Sequence, residues 1–143
     1  MDEDKRKHLD YLQTTITRMN TNSFQLKNMA IVILTAMFAL FAAIPKVILL
    51  VFTGFPLIIF WFLDAYYLQQ ERKFRAMYKD VAGLTNQSEI KMYDMPLEKY
   101  CGNGCSFIEN FISKTILLFY VSLLLIIVVI AVILLIILEI PIL

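Results

Sequence analysis

The chain has 143 residues, 59% apolar and 17% charged, with a net charge of +1. That length allows one domain, and so large an apolar share with so little charge argues against a soluble one. The charge is also unevenly placed, because residues 28–44, 47–63 and 115–138 carry none, and Lys46 and Glu139 are the only charged residues within 28–63 and 115–143.

Residues 1–27 read as an amphipathic helix in the cytoplasm. Leu9, Leu12, Ile16 and Met19 recur at alternating spacings of three and four and line one apolar stripe. Asn20, Thr21, Asn22 and Ser23 then interrupt the pattern, where short polar side chains bend a helix or face a neighbour. A cleaved leader is not expected, since a long polar segment precedes the first apolar run and lacks the short basic region that opens a signal peptide.

A helix needs roughly 20 apolar residues, and at least about 17, to cross the hydrocarbon layer. Stretches 28–44 and 47–63 meet the lower figure and are separated by Pro45 and Lys46. They read as a transmembrane hairpin over 28–63 with its turn at 45–46. A shallow re-entrant structure is the weaker reading, because irregular backbone cannot face lipid unsatisfied.

The second span has no stop signal at its polar end, so a cytoplasmic helix over 64–83 continues it to Gly83, a natural residue just past a helix end. Its apolar stripe is Tyr67, Phe74, Met77, Tyr78 and Val81, with Glu71 and Arg75 spaced for an ion pair. Two helices leaving one face of a hairpin hide their stripes most cheaply against each other. The expected result is an antiparallel cytoplasmic stalk built on Leu9, Leu12, Ile16, Met19, Phe74, Met77, Tyr78 and Val81.

Residues 84–105 lose periodicity and read as a loop, with a short helix after Asp94-Met95-Pro96. Cys101 and Cys105 fall there. They offer half a zinc site at most, and the single histidine, His8, is distant in sequence, so unpaired thiols are the plainer reading. Ser106 and Glu109 have the spacing of a capping box ahead of one helix over 106–138 that includes the third span, followed by a tail over 139–143.

Lys and Arg set the orientation. Lys5, Arg6, Lys7, Arg18 and Lys27 precede the first span, seven more lie between the second and third, and the hairpin tip has only Lys46. The N-terminus and the 64–114 segment are therefore expected inside, with the tip and the C-terminus outside. The fold class is an all-α integral membrane protein with three transmembrane helices.

Catalytic groupings are absent from the pattern: no Gly-rich phosphate loop, no Ser-His-Asp or Cys-His set and no ligand cluster, so neither an enzyme nor a cofactor is expected. A transporter is disfavoured as well, because the spans offer only Thr35, Thr53, Gly54, Tyr120 and Ser122, with Asp64 at the boundary. Asp64 stands among Trp61, Tyr66 and Tyr67, which look like an interfacial aromatic belt. A carboxylate at that depth wants a cation, and Arg18 or Lys27 on the preceding helix would make an interfacial clamp. The basic residues Arg72, Lys73, Arg75 and Lys79 suit lipid headgroups better than nucleic acid.

The segments Tyr11-Leu12-Gln13, Arg18-Met19, Asn22-Ser23-Phe24, Trp61, Leu63-Asp64-Ala65-Tyr66-Tyr67-Leu68, Glu71-Arg72, Phe74-Arg75, Tyr78 and Ser113-Lys114-Thr115 resemble a family of small bacterial multi-pass membrane proteins associated with antiviral defence genes. The resemblance implies a defence effector in the bacterial inner membrane. It carries over no catalytic residue. Two functions follow as expectations: a homo-oligomeric effector that permeabilises or depolarises the membrane, or a non-conducting anchor that recruits a cytoplasmic protein partner.

Overall fold

The computed structural model describes residues 3–44, 46–85, 93–100 and 106–137. All regular structure among them is helical: α1 (Glu3–Ala43), α2 (Val47–Val81), a 3-10 turn (Leu97–Tyr100), α3 (Phe107–Phe111) and α4 (Lys114–Ile137). Three of these, α1, α2 and α4, are long and apolar enough to cross a membrane. The loop cysteines Cys101 and Cys105 and the tail from Glu139 lie outside the described residues.

α1 holds 41 residues in one run, so it is about 60 Å long at 1.5 Å per residue. The polar stretch before its apolar half does not break it. Thr14, Thr15, Thr17 and Thr21 each donate their hydroxyl to the carbonyl four residues back, at 2.8–3.0 Å, which satisfies the side chain without leaving the helix. Asn20 to Ser23 therefore continue the helix rather than interrupting it.

The chain reverses between α1 and α2, and α2 packs back along α1. At its far end α2 closes on Gly83 at φ +81°. Leu84 N–H donates to Lys79 O and Gly83 N–H to Asp80 O, both at 2.9 Å, the paired bonds of a Schellman cap that only a residue free of a Cβ penalty adopts cheaply.

Packing divides into two clusters. Ala30, Leu34, Leu50, Leu57, Ala65, Ile116, Tyr120 and Ile127 form the core between the apolar helices. Leu12, Ile16, Phe74 and Met77 form the second, with Met19, Tyr78 and Val81 at its edge and Met95, Leu97 and Tyr100 laid over it. Leu9 is buried one turn before Leu12.

Residues 106–138 do not form one helix. The run breaks at Ile112 and Ser113, leaving α3 and α4 separate, and the Ser106 side chain makes no capping bond. Its backbone carbonyl is used instead, accepting from Asn110 Nδ2 at 2.7 Å. The break is offset by aromatic packing: Trp61 stacks on Phe111 at 4.6 Å, and Phe62 meets Phe111 at 4.9 Å.

α2 is the shared wall of the molecule. α1 closely approaches α2 alone among the described helices, and α4 approaches α2 and α3, so the three long helices do not close into a bundle.

Candidate functional site: a buried polar clamp

Asp64 sits in the middle of α2 with no solvent exposure. A carboxylate so placed must be neutralised and hydrogen-bonded. Ser23 and Lys27, four residues apart on one face of α1, do both. Lys27 Nζ lies 2.5 Å from Asp64 Oδ2, the Ser23 hydroxyl donates to Asp64 Oδ1, and Lys27 also donates to Ser23 Oγ at 2.9 Å. The Lys27 side chain keeps about a quarter of its surface exposed, at 23%, so its head stays near the polar surroundings while its stem is packed.

A third helix closes the site. Tyr120 of α4 is fully buried, donates its hydroxyl to Phe60 O at 3.3 Å and lies against the Asp64 carboxylate. Its ring and that of Phe111 stack with Trp61 at interplanar angles of 4° and 6°. Trp61 Nε1 donates to Phe111 O at 3.0 Å, taking up a carbonyl that the end of α3 frees. One stretch of α2, Phe60 to Asp64, thus fastens α1, α3 and α4 at a single level.

Arg18 does not take part. It is exposed and lines a shallow groove with Gln13, Thr14, Thr17, Thr21 and Asn22. Nine residues, or two and a half helical turns, separate it from Lys27, which puts the two cations on opposite sides of α1.

No family model, curated protein or solved structure matches this chain. The site's chemistry must therefore be read from its own groups. Among the described residues no group of three or more His, Cys, Asp or Glu side chains is placed to hold a metal. The clamp has a charge pair and three hydroxyl or indole donors, packed against one another by the surrounding aromatic rings. Its geometry holds α1, α3 and α4 against one level of α2.

At the polar end, two further contacts hold the 93–100 segment over the second cluster. Tyr100 donates its hydroxyl to Asp80 Oδ2 at 2.6 Å, and Thr85 donates to Oδ1 of the same buried carboxylate at 3.2 Å. Tyr93, at φ 62°, sets its ring 5.8 Å from that of His8. His8 is 1% exposed, its Nε2 meets no hydrogen-bond partner among the described residues, and burial lowers its pKa below the ordinary value.

The apolar residues singled out for assembly are consumed inside the chain. Leu12, Ile16, Phe74 and Met77 bury against one another, and Met19, Tyr78 and Val81 border them. Glu71 and Arg75 form their ion pair at 2.7 Å. Sequence reasoning notes Tyr120 as a polar group in a span but not its contact with Asp64, and it misses Asp80, Tyr100 and the burial of His8. A lone polar residue in an apolar run is the available signal for Tyr120, but its partner Asp64 lies 56 positions away.

Proposed function

We propose that this chain is a multi-pass protein of the bacterial inner membrane that assembles from several copies and, when triggered, permeabilises or depolarises that membrane in antiviral defence. The observation that carries the reading is the open arrangement of α1, α2 and α4. Three helices of which α1 and α4 each approach α2 but not each other leave wide faces, such as Phe52 and Phe55 on α2 and Leu118 and Leu125 on α4, at 60% exposure or more. In a bilayer these faces meet lipid or further copies, and several copies enclose a path that one cannot. The resemblance of the Leu63–Leu68 region and its neighbours to defence-associated membrane proteins supplies the setting.

In this reading the polar halves of α1 and α2 project into the cytoplasm as an antiparallel stalk. Because their apolar stripes are satisfied within one chain, assembly falls to the spans.

A second reading is favoured by one specific observation. The outer faces of α2 and α4 are bulky and largely apolar, which lipid alone satisfies, while the groove at Gln13, Thr17 and Thr21 is lined by residues with polar side chains and faces away from α2. A non-conducting anchor would seat a cytoplasmic protein there.

The test is the mass of the complex in mild detergent, corrected for bound detergent, together with potassium efflux from vesicles holding the purified chain. The proposal expects a closed assembly of at least about four copies, the number at which helices can surround water, and efflux above that of empty vesicles. A monomer or dimer overturns it and leaves the anchor.

A further inference from the structure

α1 carries a second face, opposite the one that packs on α2. Arg18, Thr21, Gln25, Asn28, Val32 and Thr35 follow one another at spacings of three and four, which places them in a single line along the helix, and every one of them is exposed. The packed face follows a different line through Leu12, Ile16, Ser23, Lys27, Ala30 and Leu34, half a turn away. The polar line does not stop at the level of the clamp. Asn28 lies one residue beyond Lys27, and Thr35 lies about 12 Å beyond it at 1.5 Å per residue, inside the apolar half of the helix.

These groups have unspent hydrogen-bonding capacity. Gln25 and Asn28 make no hydrogen bond among the described residues. Thr35 spends its proton on Ile31 O at 2.9 Å and keeps its oxygen as an acceptor. The outward faces of the other two long helices carry no such line of successive polar residues among the described residues. That of α2 is built from Val51, Phe52, Phe55, Ile59 and Phe62, all apolar and exposed, and that of α4 from Leu118, Leu125, Val128, Val132 and Ile136 with a single exposed polar group, Ser122, whose hydroxyl donates to Phe119 O at 2.8 Å. Polar side chains at membrane depth belong against water or other polar groups, and apolar ones against lipid.

We infer that the Arg18–Thr35 line of α1 faces the axis of an assembly of this chain and lines its aqueous path, with Gln25 and Asn28 at the cytoplasmic mouth and Thr35 within the bilayer. The occupant of this face is water, enclosed by further copies of α1. The spacings average 3.4 residues, close to the 3.5-residue repeat at which helices wind around one another with a left-handed hand, so this line, polar but for Val32, has a periodicity near that needed to face a common axis. α2 then forms the next layer outward, and the bulky faces of α2 and α4 meet lipid. This assignment rests on the assembly proposed above.

The test places single cysteines at Thr35 and, as a lipid-facing control, at Leu125, in a chain with Cys101 and Cys105 replaced by serine. The chain is reconstituted in vesicles and treated with a charged thiol reagent that does not enter lipid. The inference expects Thr35→Cys to react at least about tenfold faster than Leu125→Cys, because only a hydrated thiol ionises and meets the reagent. Equal, slow reaction of the two in a chain whose mass is that of four or more copies overturns the inference and leaves the assembly standing. A monomeric mass overturns the assembly and the inference with it. Thr35→Cys changes little in volume, and Thr35→Ser, which keeps the hydroxyl, controls for folding.

Discussion

Asp64 and Lys27 show how a buried charge is kept in an apolar molecule. Leaving the carboxylate in place while removing the cation exposes the full cost of desolvation, commonly about 3–5 kcal/mol for a buried pair, and the partial exposure of Lys27 puts this pair near the lower figure. Lys27→Met is therefore expected to lower the melting temperature of the detergent-solubilised chain by several degrees. Lys27→Met combined with Asp64→Asn should recover most of the loss, since no charge is then stranded. A single variant as stable as the parent would show that the pair contributes nothing. His8 makes a different prediction. Its folded pKa is depressed by burial beneath Tyr93, so the closed segment resists a proton that the opened segment accepts near 6.5. The closed form is favoured in full above that value and loses ground as pH falls below it. Amide exchange over residues 5–12, corrected for its intrinsic rate, should show protection declining from about pH 7.5 to 5.5, with the decline flattened in His8→Leu. The same slope in both chains would assign the effect to another group.

The pairing of α1 with α2 depends on where the small cluster at the polar end spends its apolar surface. Phe74 is 7% exposed and touches a seam that includes Leu12 and Ile16, whereas Lys79 is exposed. Phe74→Asp should release the first half of α1, seen as new protease cleavage between Glu3 and Met19, while Lys79→Asp leaves the digestion pattern unchanged. Identical patterns for the two would mean that the seam is not what holds α1 down. These elements are also where reading the sequence succeeds and fails for identifiable reasons. Expelled charge marks the three apolar segments, and the three-and-four spacing of Leu12, Ile16 and Met19 picks out the side of α1 that is buried, because both are local signals of a long helix. Gly83 announces its own conformation. The break at Ile112 and Ser113 is invisible locally, since no Pro or Gly stands between Phe107 and Leu138 and Ser106 with Glu109 imitates a cap. What stabilises the break is Trp61, about 50 positions earlier, donating to Phe111 O. Arg18 misleads for a geometric reason: charge and proximity in sequence recommend it to Asp64, but its helical phase points it the other way. Tyr120 and the Tyr100–Asp80 bond arise from tertiary contact alone.

At the scale of the whole molecule, the unequal placement of basic residues along an open set of three long helices has a consequence for how the chain sits in a membrane. The turn joining α1 to α2 carries a single cation, Lys46, while the polar end of α2 and the chain from there to the start of α4 carry Arg72, Lys73, Arg75, Lys79, Lys91, Lys99 and Lys114. Lys and Arg close to a span resist transfer, so the turn is expected outside and the longer segment inside. The clamp agrees with that arrangement in one respect: Ser23, Lys27, Asp64 and Trp61 lie at the ends of the apolar stretches nearest the basic segments, where a partly exposed ammonium reaches headgroups and an indole sits comfortably. The prediction uses chains in which Cys101 and Cys105 are serine and one cysteine replaces either Lys46 or Glu98, both exposed. In spheroplasts, a membrane-impermeant maleimide should label Lys46→Cys at once and Glu98→Cys only after permeabilisation. The reverse pattern would turn the molecule over and put the Gln25–Asn28 mouth on the outer side, leaving the polar line of α1 intact but reversing the side from which a trigger reaches it. Labelling of both sites in sealed cells would mean that the turn and the 93–100 segment share one side, which a crossing by α2 forbids. It would thus mean that α2 does not span and that the 28–63 segment is no transmembrane hairpin.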